Sequence, residues 1–103
     1  MGGITEAMKL MIIANNSDLP IELQSWGHSL VQLANLHLAL ANKSTQYFEV
    51  PMPRELYDFG MKDVILLNEN KMYGPQKPGL GIEVKWSELM TADYYKKVSI
   101  RVK

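Results

Sequence analysis

The chain has 103 residues and lacks cysteine, a net charge and long apolar runs. Without cysteine it has neither a disulfide framework nor a thiolate metal site. Its 11 basic and 11 acidic side chains balance, which leaves no electrostatic footprint for nucleic acid or an anionic membrane. No segment approaches the roughly 18 apolar residues of a membrane-spanning helix, and the first residues do not resemble a secretory signal. We therefore expect a small cytoplasmic protein that binds neither nucleic acid nor membrane.

The first half of the chain alternates between helical and extended patterns. Thr5 is a candidate N-cap for a first helix, and the turn-forming residues 15–18 end that helix. Residues 19–23 and 45–50 are β-rich, whereas residues 29–41 form a helical pattern that is apolar nearly all round. Such a helix is buried on more than one side. Two strands joined through a buried helix by short loops are typical of a parallel βαβ unit.

The second half is less regular and reads as a C-terminal extension. It begins at Pro51, with a short strand predicted at residues 63–67 and a turn at residues 68–71. A short helix is predicted within residues 86–95, and residues 98–102 alternate like an edge strand.

The pattern predicts part of a larger α/β structure. One βαβ unit gives two parallel strands, yet parallel sheets are normally covered on both faces. A complete (β/α)₈ barrel needs about 250 residues. We therefore expect residues 1–103 to be a single partial domain of class α/β, roughly the last two βα units of a TIM-like barrel plus a tail. In this division residues 1–50 hold the first helix and the βαβ unit, and residues 51–103 are the C-terminal extension.

The junction between the first predicted strand and the second helix is the first place to look for function. Residues 24–29, QSWGHS, bring polar and aromatic side chains to this loop. In parallel α/β folds the loops that leave the C-terminal strand ends carry the chemistry.

Four motifs in this order give the chain a family resemblance. They are GGITE at residues 2–6, the strand and loop at residues 19–27, QYFE at residues 46–49 and PGLGIE at residues 78–83. The chain resembles the C-terminal end of the enolase superfamily, in particular its mandelate racemase/muconate lactonizing branch of acid-sugar dehydratases, racemases and cycloisomerases. In that resemblance the second and third motifs look like barrel strands seven and eight.

The resemblance implies a modified TIM barrel with Mg²⁺ at the C-terminal strand ends. The implied reaction abstracts the proton α to a substrate carboxylate, and the metal stabilises the enediolate. The family's metal-binding carboxylates lie on strands three to five and a lysine base lies near strand two, all of which precede Met1. We therefore expect the parent protein to use Mg²⁺ on a small carboxylate or sugar acid, whereas this chain alone has no metal ligands and binds no cofactor.

Three residues of strand seven and its loop are candidate substrate-binding groups. Gln24 stands where many family members carry the catalytic histidine, and an amide has no useful proton affinity. It positions substrate or loop, or it makes ordinary structural hydrogen bonds. Glu22 lies on the same strand face, either as a tuned acid or base or as the partner of a base from a missing strand. Trp26 forms a wall of the substrate pocket or simply packs.

Two residues are candidate catalytic groups. Glu49 matches the family's strand-eight glutamate that hydrogen-bonds a substrate carboxylate oxygen, which requires a raised pKa through burial. Its alternative is a rim carboxylate paired to a base. His28 could replace the missing histidine if the loop folds inward; otherwise it makes local hydrogen bonds or faces solvent. His37, within the second helix, is expected to be structural.

Three hypotheses for the chain follow. In the first, its parent is an enolase superfamily lyase or isomerase, and the isolated chain is inactive. In the second, it is a non-catalytic α/β module that forms a homo-oligomer or pairs with a complementing chain. The third is a degenerate gene product without a stable fold.

Overall fold

The computed structural model describes residues 2–65 and 67–91. In these ranges the elements are α1 (Ile4–Asn16), α2 (Ser29–Ala41), a 3₁₀ helix (Arg54–Leu56), β1 (Leu67–Asn68), β2 (Lys71–Met72) and α3 (Trp86–Met90). The predicted edge strand at residues 98–102 lies outside the described residues, as does the end of the helix predicted within residues 86–95. Within the described ranges no helix is long and apolar enough to cross a membrane.

Helix α1 begins two residues earlier than the capping pattern predicts. Gly3 is its N-cap with φ 92°, no side chain caps the helix, and Thr5 lies inside it. The predicted cap was therefore wrong, because a glycine reaches this left-handed φ at no steric cost and takes the cap position first. The helix ends at Asn16, and Asp18 follows with φ 54°, so the turn expected at residues 15–18 is confirmed.

Helix α2 has the predicted bounds and is buried on two sides, as its all-round apolar pattern indicates. On one side Leu38 packs with Ala7 and Met11 of α1 and with Leu23. On the other side a second cluster covers α2 with residues from the C-terminal half of the chain. This cluster comprises Leu33, Leu36, Met61 and Ile65, with Leu30, Phe48, Met72, Leu80, Ile82 and Val84 packed against it. Helix α2 is therefore the shared wall of both hydrophobic clusters.

The two predicted parallel strands are extended but are not regular strands. Hydrogen bonds link residues 21 and 45, 22 and 46, and 25 and 49, each pair 24 residues apart, so the two segments run in parallel. All of these bonds use a side chain: Thr45 Oγ1 donates to the Ile21 carbonyl at 2.9 Å, and Glu22 accepts from the backbone of residue 46. The prediction of two regular strands was wrong, because backbone N–H groups that would pair the strands donate to glutamate side chains instead. The predicted parallel direction of the two segments agrees with the structure.

The described sheet is small and antiparallel. β1 and β2 pair Leu67 with Met72 and Asn68 with Lys71, and a single bridge joins Met61 to Val84. Glu69 and Asn70 have φ of 49° and 59°, which is the backbone of a tight hairpin turn. The turn expected at residues 68–71 is confirmed, whereas the strand predicted at residues 63–67 is shifted towards the hairpin. The described part of the chain is a small mixed α/β fold.

Candidate functional site

The candidate site is the exposed face of the segment that precedes α2. From residue 22 to residue 26 exposure alternates strictly: Leu23 and Ser25 are buried, whereas Glu22, Gln24 and Trp26 are exposed. This is the period-two alternation of an extended segment that covers a core on one side. All three predicted substrate-binding residues therefore share one face.

Glu49 is tied to this segment from the neighbouring one. The Ser25 backbone N–H donates to Glu49 Oε2 at 3.0 Å. Among the described residues no hydrogen bond is made to the other carboxylate oxygen, Oε1. Glu49 is exposed, so these residues do not provide the burial that its predicted role as a hydrogen-bond donor to substrate requires.

Glu22 makes a second link between the same two segments. Its Oε1 accepts the Gln46 N–H at 3.2 Å and its Oε2 accepts the Tyr47 N–H at 3.0 Å. The residue is exposed rather than inward and buried. In the described residues its carboxylate therefore holds the backbone that leads to Glu49.

Gln24 and Trp26 lie at the end of the segment, and each is held by a contact to another part of the chain. Asn35 of α2 donates to the Gln24 carbonyl at 3.0 Å, which anchors the backbone of Gln24 to the helix. Trp26 is 61% exposed and meets Tyr57 edge to face, with ring centroids 6.2 Å apart. Both side chains are thus carried on an anchored backbone.

His28 has a local structural arrangement at the start of α2. Its Nδ1 accepts from the Leu30 N–H at 3.3 Å, so it is the N-cap of the helix. Its Nε2 lies 2.8 Å from the Phe59 carbonyl and donates to it, with the two rings edge to face at 4.5 Å. Because both ring nitrogens are engaged, His28 matches the alternative of local hydrogen bonds, and a catalytic role requires these bonds to open. His37 contacts the Leu80 carbonyl through Nε2 at 3.3 Å, as expected of a structural histidine.

A buried polar cluster beside the loop was missed by the sequence reasoning. It joins Ser29 and Gln32 of α2 to Arg54 and Asp58. Ser29 and Gln32 are fully buried. The spacing of Arg54 and Asp58, four residues apart, is the signal that could have found them, since residues at this spacing face each other on a helical turn. Nothing in the sequence shows that Ser29 and Gln32 meet them.

A separate charged cluster lies in the C-terminal half, away from these residues. Lys77 Nζ lies 2.8 Å from Asp63 Oδ2, and Lys62 Nζ lies 2.8 Å from Glu83 Oε2. The hydrogen bond from Lys77 lowers the pKa of Asp63, and in return Asp63 raises the pKa of Lys77. The hydrogen bond from Lys62 lowers the pKa of Glu83. Lys62, Asp63 and Lys77 rim an open, largely apolar pocket of about 510 Å³. Its lining includes Leu33 and Ile82 but no predicted site residue.

The described residues do not fit a metal centre. Within residues 2–65 and 67–91 no three histidine, aspartate or glutamate side chains are grouped so that they could hold a metal ion. The carboxylates of Glu22 and Glu49 each accept hydrogen bonds from backbone amides instead. The chemistry available at the face is therefore hydrogen bonding and orientation of a ligand.

The described residues form a mixed α/β fold in which two segments run in parallel and carry one polar, exposed face. The model of the family "Enolase C-terminal domain-like" matches residues 1–88. The chain belongs to this family, and with it to the enolase superfamily.

A solved structure gives the same assignment. The chain is similar to a crystal structure from Pseudovibrio sp. that is provisionally assigned as a mandelate racemase/muconate lactonizing enzyme, with 35% identity and a TM-score of 0.84. The match covers 91% of this chain and 25% of that chain, so this chain spans a quarter of the length of its solved relative. No curated protein matches the sequence. The predicted resemblance to the C-terminal end of the superfamily is confirmed.

Proposed function

We propose that this chain supplies the strand-seven and strand-eight part of an enolase superfamily barrel. The observation that carries the proposal is the hydrogen bond between the Ser25 amide and Glu49, which fixes two parallel segments side by side with Glu22, Gln24 and Trp26 on one exposed face. In a closed barrel that face is directed to the interior. The exposed apolar residues of α1 support the same arrangement, since a helix in a barrel is covered by its neighbours.

The parent reaction is proposed to be Mg²⁺-assisted abstraction of the proton α to a carboxylate, as dehydration, racemisation or cycloisomerisation of a sugar acid. Because no metal-binding group fits the described residues, Mg²⁺ and the principal bases are supplied by other parts of the barrel. In this chain, Gln24 orients the substrate by hydrogen bonds and takes no proton. The Oε1–H of Glu49 donates a hydrogen bond to a substrate carboxylate oxygen, and Trp26 limits the pocket.

The isolated chain is proposed to be inactive. Its parent protein is proposed to be cytoplasmic and to act on a small carboxylate. A direct assay compares the purified chain with a chimera in which it replaces the matching quarter of the Pseudovibrio protein. Exchange of the substrate α proton for deuterium, followed by NMR over a panel of sugar acids with Mg²⁺, measures the chemical step. We expect no exchange by the chain alone and Mg²⁺-dependent exchange by the chimera.

Glu49→Gln in the chimera tests the assigned role within the same experiment. The amide keeps the acceptor for Ser25, but its N–H is a weaker hydrogen-bond donor to the substrate carboxylate oxygen than a carboxylic O–H, so exchange should fall while folding is kept. Detectable Mg²⁺-dependent turnover by the isolated chain would contradict the proposed inactivity. A folded chimera that shows no exchange beside an active Pseudovibrio parent would contradict the assignment of the face.

The exposed apolar face of α1 also fits a second function. Its Leu10, Ile12 and Ile13 are all more than half exposed, which leaves an apolar helix face without a partner in the described residues. A non-catalytic α/β module that forms a homo-oligomer or pairs with a complementing chain would cover this face. Sedimentation of the purified chain separates the two: a discrete oligomer supports the second function, a folded monomer contradicts it, and an aggregated or molten chain supports the degenerate product.

A further inference from the structure

The buried polar cluster surrounds a single guanidinium. Arg54 Nη1 donates to Gln32 Oε1 at 2.6 Å, its Nη2 donates to Ser29 Oγ at 3.1 Å and its Nε donates to Asp58 Oδ2 at 3.1 Å. Nη2 also pairs with Asp58 Oδ1, which accepts the Ser29 hydroxyl as well. Each of the three guanidinium nitrogens therefore has a partner.

The surroundings of this guanidinium make its charge expensive to leave unpaired. The side chains of Arg54 and Asp58 are 22% and 13% exposed, and Ser29 and Gln32 are fully buried. A buried charge is tolerated when it is paired and fully hydrogen-bonded. The planar fork of arginine meets several acceptors at fixed angles, which a lysine cannot do.

The cluster is connected to the backbone of the candidate loop at two points. Gln32 Nε2 donates to the Gly27 carbonyl at 2.6 Å, and the Ser29 N–H donates to the Tyr57 carbonyl at 2.9 Å. Gly27 has φ 136°, a conformation that other residues rarely adopt. The loop that turns from Trp26 into α2 is therefore held on both sides of His28.

We infer that Arg54 is a positioning residue for residues 27–29, and through them for the side chains that precede α2. Arg54 holds the side chains of Gln32 and Ser29 in place, and Gln32 in turn holds the Gly27 carbonyl. The turn at residues 27–29 then sets the direction of residues 24–26 relative to α2. The positioning of the loop is a property of this chain. Its importance for a substrate rests on the proposed function.

Hydrogen exchange of the full 103-residue chain, read by NMR amide by amide without substrate or metal, tests the inference. In Arg54→Met the hydrogen-bonded amides of Ser29, Leu30 and Val31 should exchange about tenfold faster, because hydrogen bonds to a charged group are lost around them. The amides of Ala7 and Met11 in α1 should change less than twofold, since that helix packs in the other hydrophobic cluster. Arg54→Lys keeps the charge beside Asp58 but not the fork, so it should give a smaller acceleration than Arg54→Met.

Gln32→Glu separates the two hydrogen bonds of Gln32, the one from Arg54 and the one to the Gly27 carbonyl. A glutamate still accepts from Arg54 but cannot donate to the Gly27 carbonyl, so the amides of Ser29 and Leu30 should exchange faster while the Arg54–Asp58 pair persists. Lys62→Met is the control, because it removes an exposed cation from the separate cluster and should leave the loop unchanged.

Unchanged loop exchange in Arg54→Met would overturn the inference. So would equal acceleration in α1 and the loop, which would show that Arg54 supports the whole fold rather than this turn. Either result is independent of the chimera assay, because exchange is measured without chemistry; an inactive chimera with a normal exchange pattern would contradict the proposed function alone.

Discussion

The backbone N–H of Ser25 donates to Glu49 Oε2 at 3.0 Å across two segments that run in parallel. In a regular parallel pair this amide would donate to a carbonyl of the neighbouring strand. Here the carboxylate takes that place, so the same residue that is the candidate catalytic group also joins the two segments. The proposed role of Glu49 and the pairing of the two segments therefore depend on the same side chain.

Glu49→Leu should destabilise the chain by about 1 kcal/mol, because the buried Ser25 then has an unsatisfied amide. Glu49→Gln should cost less, since the amide oxygen still accepts. Urea unfolding followed by circular dichroism measures both. Equal stability of the leucine variant and the wild-type chain would show that the hydrogen bond contributes nothing.

Truncation of the core side of α2 should be far more costly than truncation of its exposed side. Leu33 is 0% exposed and Leu40 is 57% exposed, and both lie in the same helix, so helix propensity is matched. We expect Leu33→Ala to cost about 2–5 kcal/mol and Leu40→Ala less than about 0.5 kcal/mol. Similar costs in thermal or urea unfolding would contradict the assignment of Leu33 to the core.

Gly81 and Gly79 form a matched pair for the turn in the PGLGIE motif. Both have positive φ, 75° and 70°, but a Cβ at Gly81 would lie 2.3 Å from Pro75 Cβ, whereas a Cβ at Gly79 meets nothing within 4 Å. Gly79→Ala should therefore cost only the backbone term of about 1 kcal/mol. Gly81→Ala should cost on the order of 2 kcal/mol more, because overpacking is added; equal losses in urea unfolding would contradict this.

The charged cluster around Lys77 should stabilise the fold at intermediate pH and lose this contribution at both acidic and basic pH. The lowered pKa values of Asp63 and Glu83 give stabilisation above their ordinary values of 3.8 and 4.5, and it is lost as the pH falls through the lowered values. The raised pKa of Lys77 gives stabilisation below its ordinary value of 10.5, lost as the pH rises through the raised value. Since these groups are exposed, salt should weaken both effects.

An NMR titration of the side-chain carboxylates checks the origin of these shifts. In Lys77→Met the pKa of Asp63 should rise towards 3.8, because its largest cause is the hydrogen bond from Lys77. Lys9→Met is the control, since Lys9 pairs only with Glu6 among the described residues. An unchanged pKa of Asp63 in Lys77→Met would show that another group lowers it.

The bounds of α2 and the hairpin turn were predicted correctly because both depend on residues that are close together in the sequence. The apolar pattern of α2 gave its bounds because helix periodicity is a property of neighbouring residues. The hairpin turn at residues 68–71 was predictable since asparagine tolerates left-handed backbone. The cap of α1 was not, because a glycine and a threonine both suit that position and only the backbone angle separates them.

The candidate site was predictable as a set of side chains on one face, but not as a set of contacts. Alternation placed Glu22 and Gln24 on one strand face, and the structure adds Trp26 to it. The partners of Glu22 come from a segment about 24 residues away. The proposed roles of Glu49, His28, Gln24, Glu22 and Trp26 stay predictions. For His28 the structure adds a physical reason for the alternative, since both ring nitrogens are already engaged.

The sequence by itself determined the family, the helices and the turns, because motifs, periodicity and glycine positions act within a few residues. Only the tertiary structure decided that Glu22 and Glu49 replace a strand ladder, and that Arg54 meets Gln32 across 22 residues of chain. The reason is physical: a buried or backbone polar group takes whichever partner the fold brings within about 3 Å. The number of residues between two polar groups in the sequence does not reveal whether the fold brings them within hydrogen-bond distance.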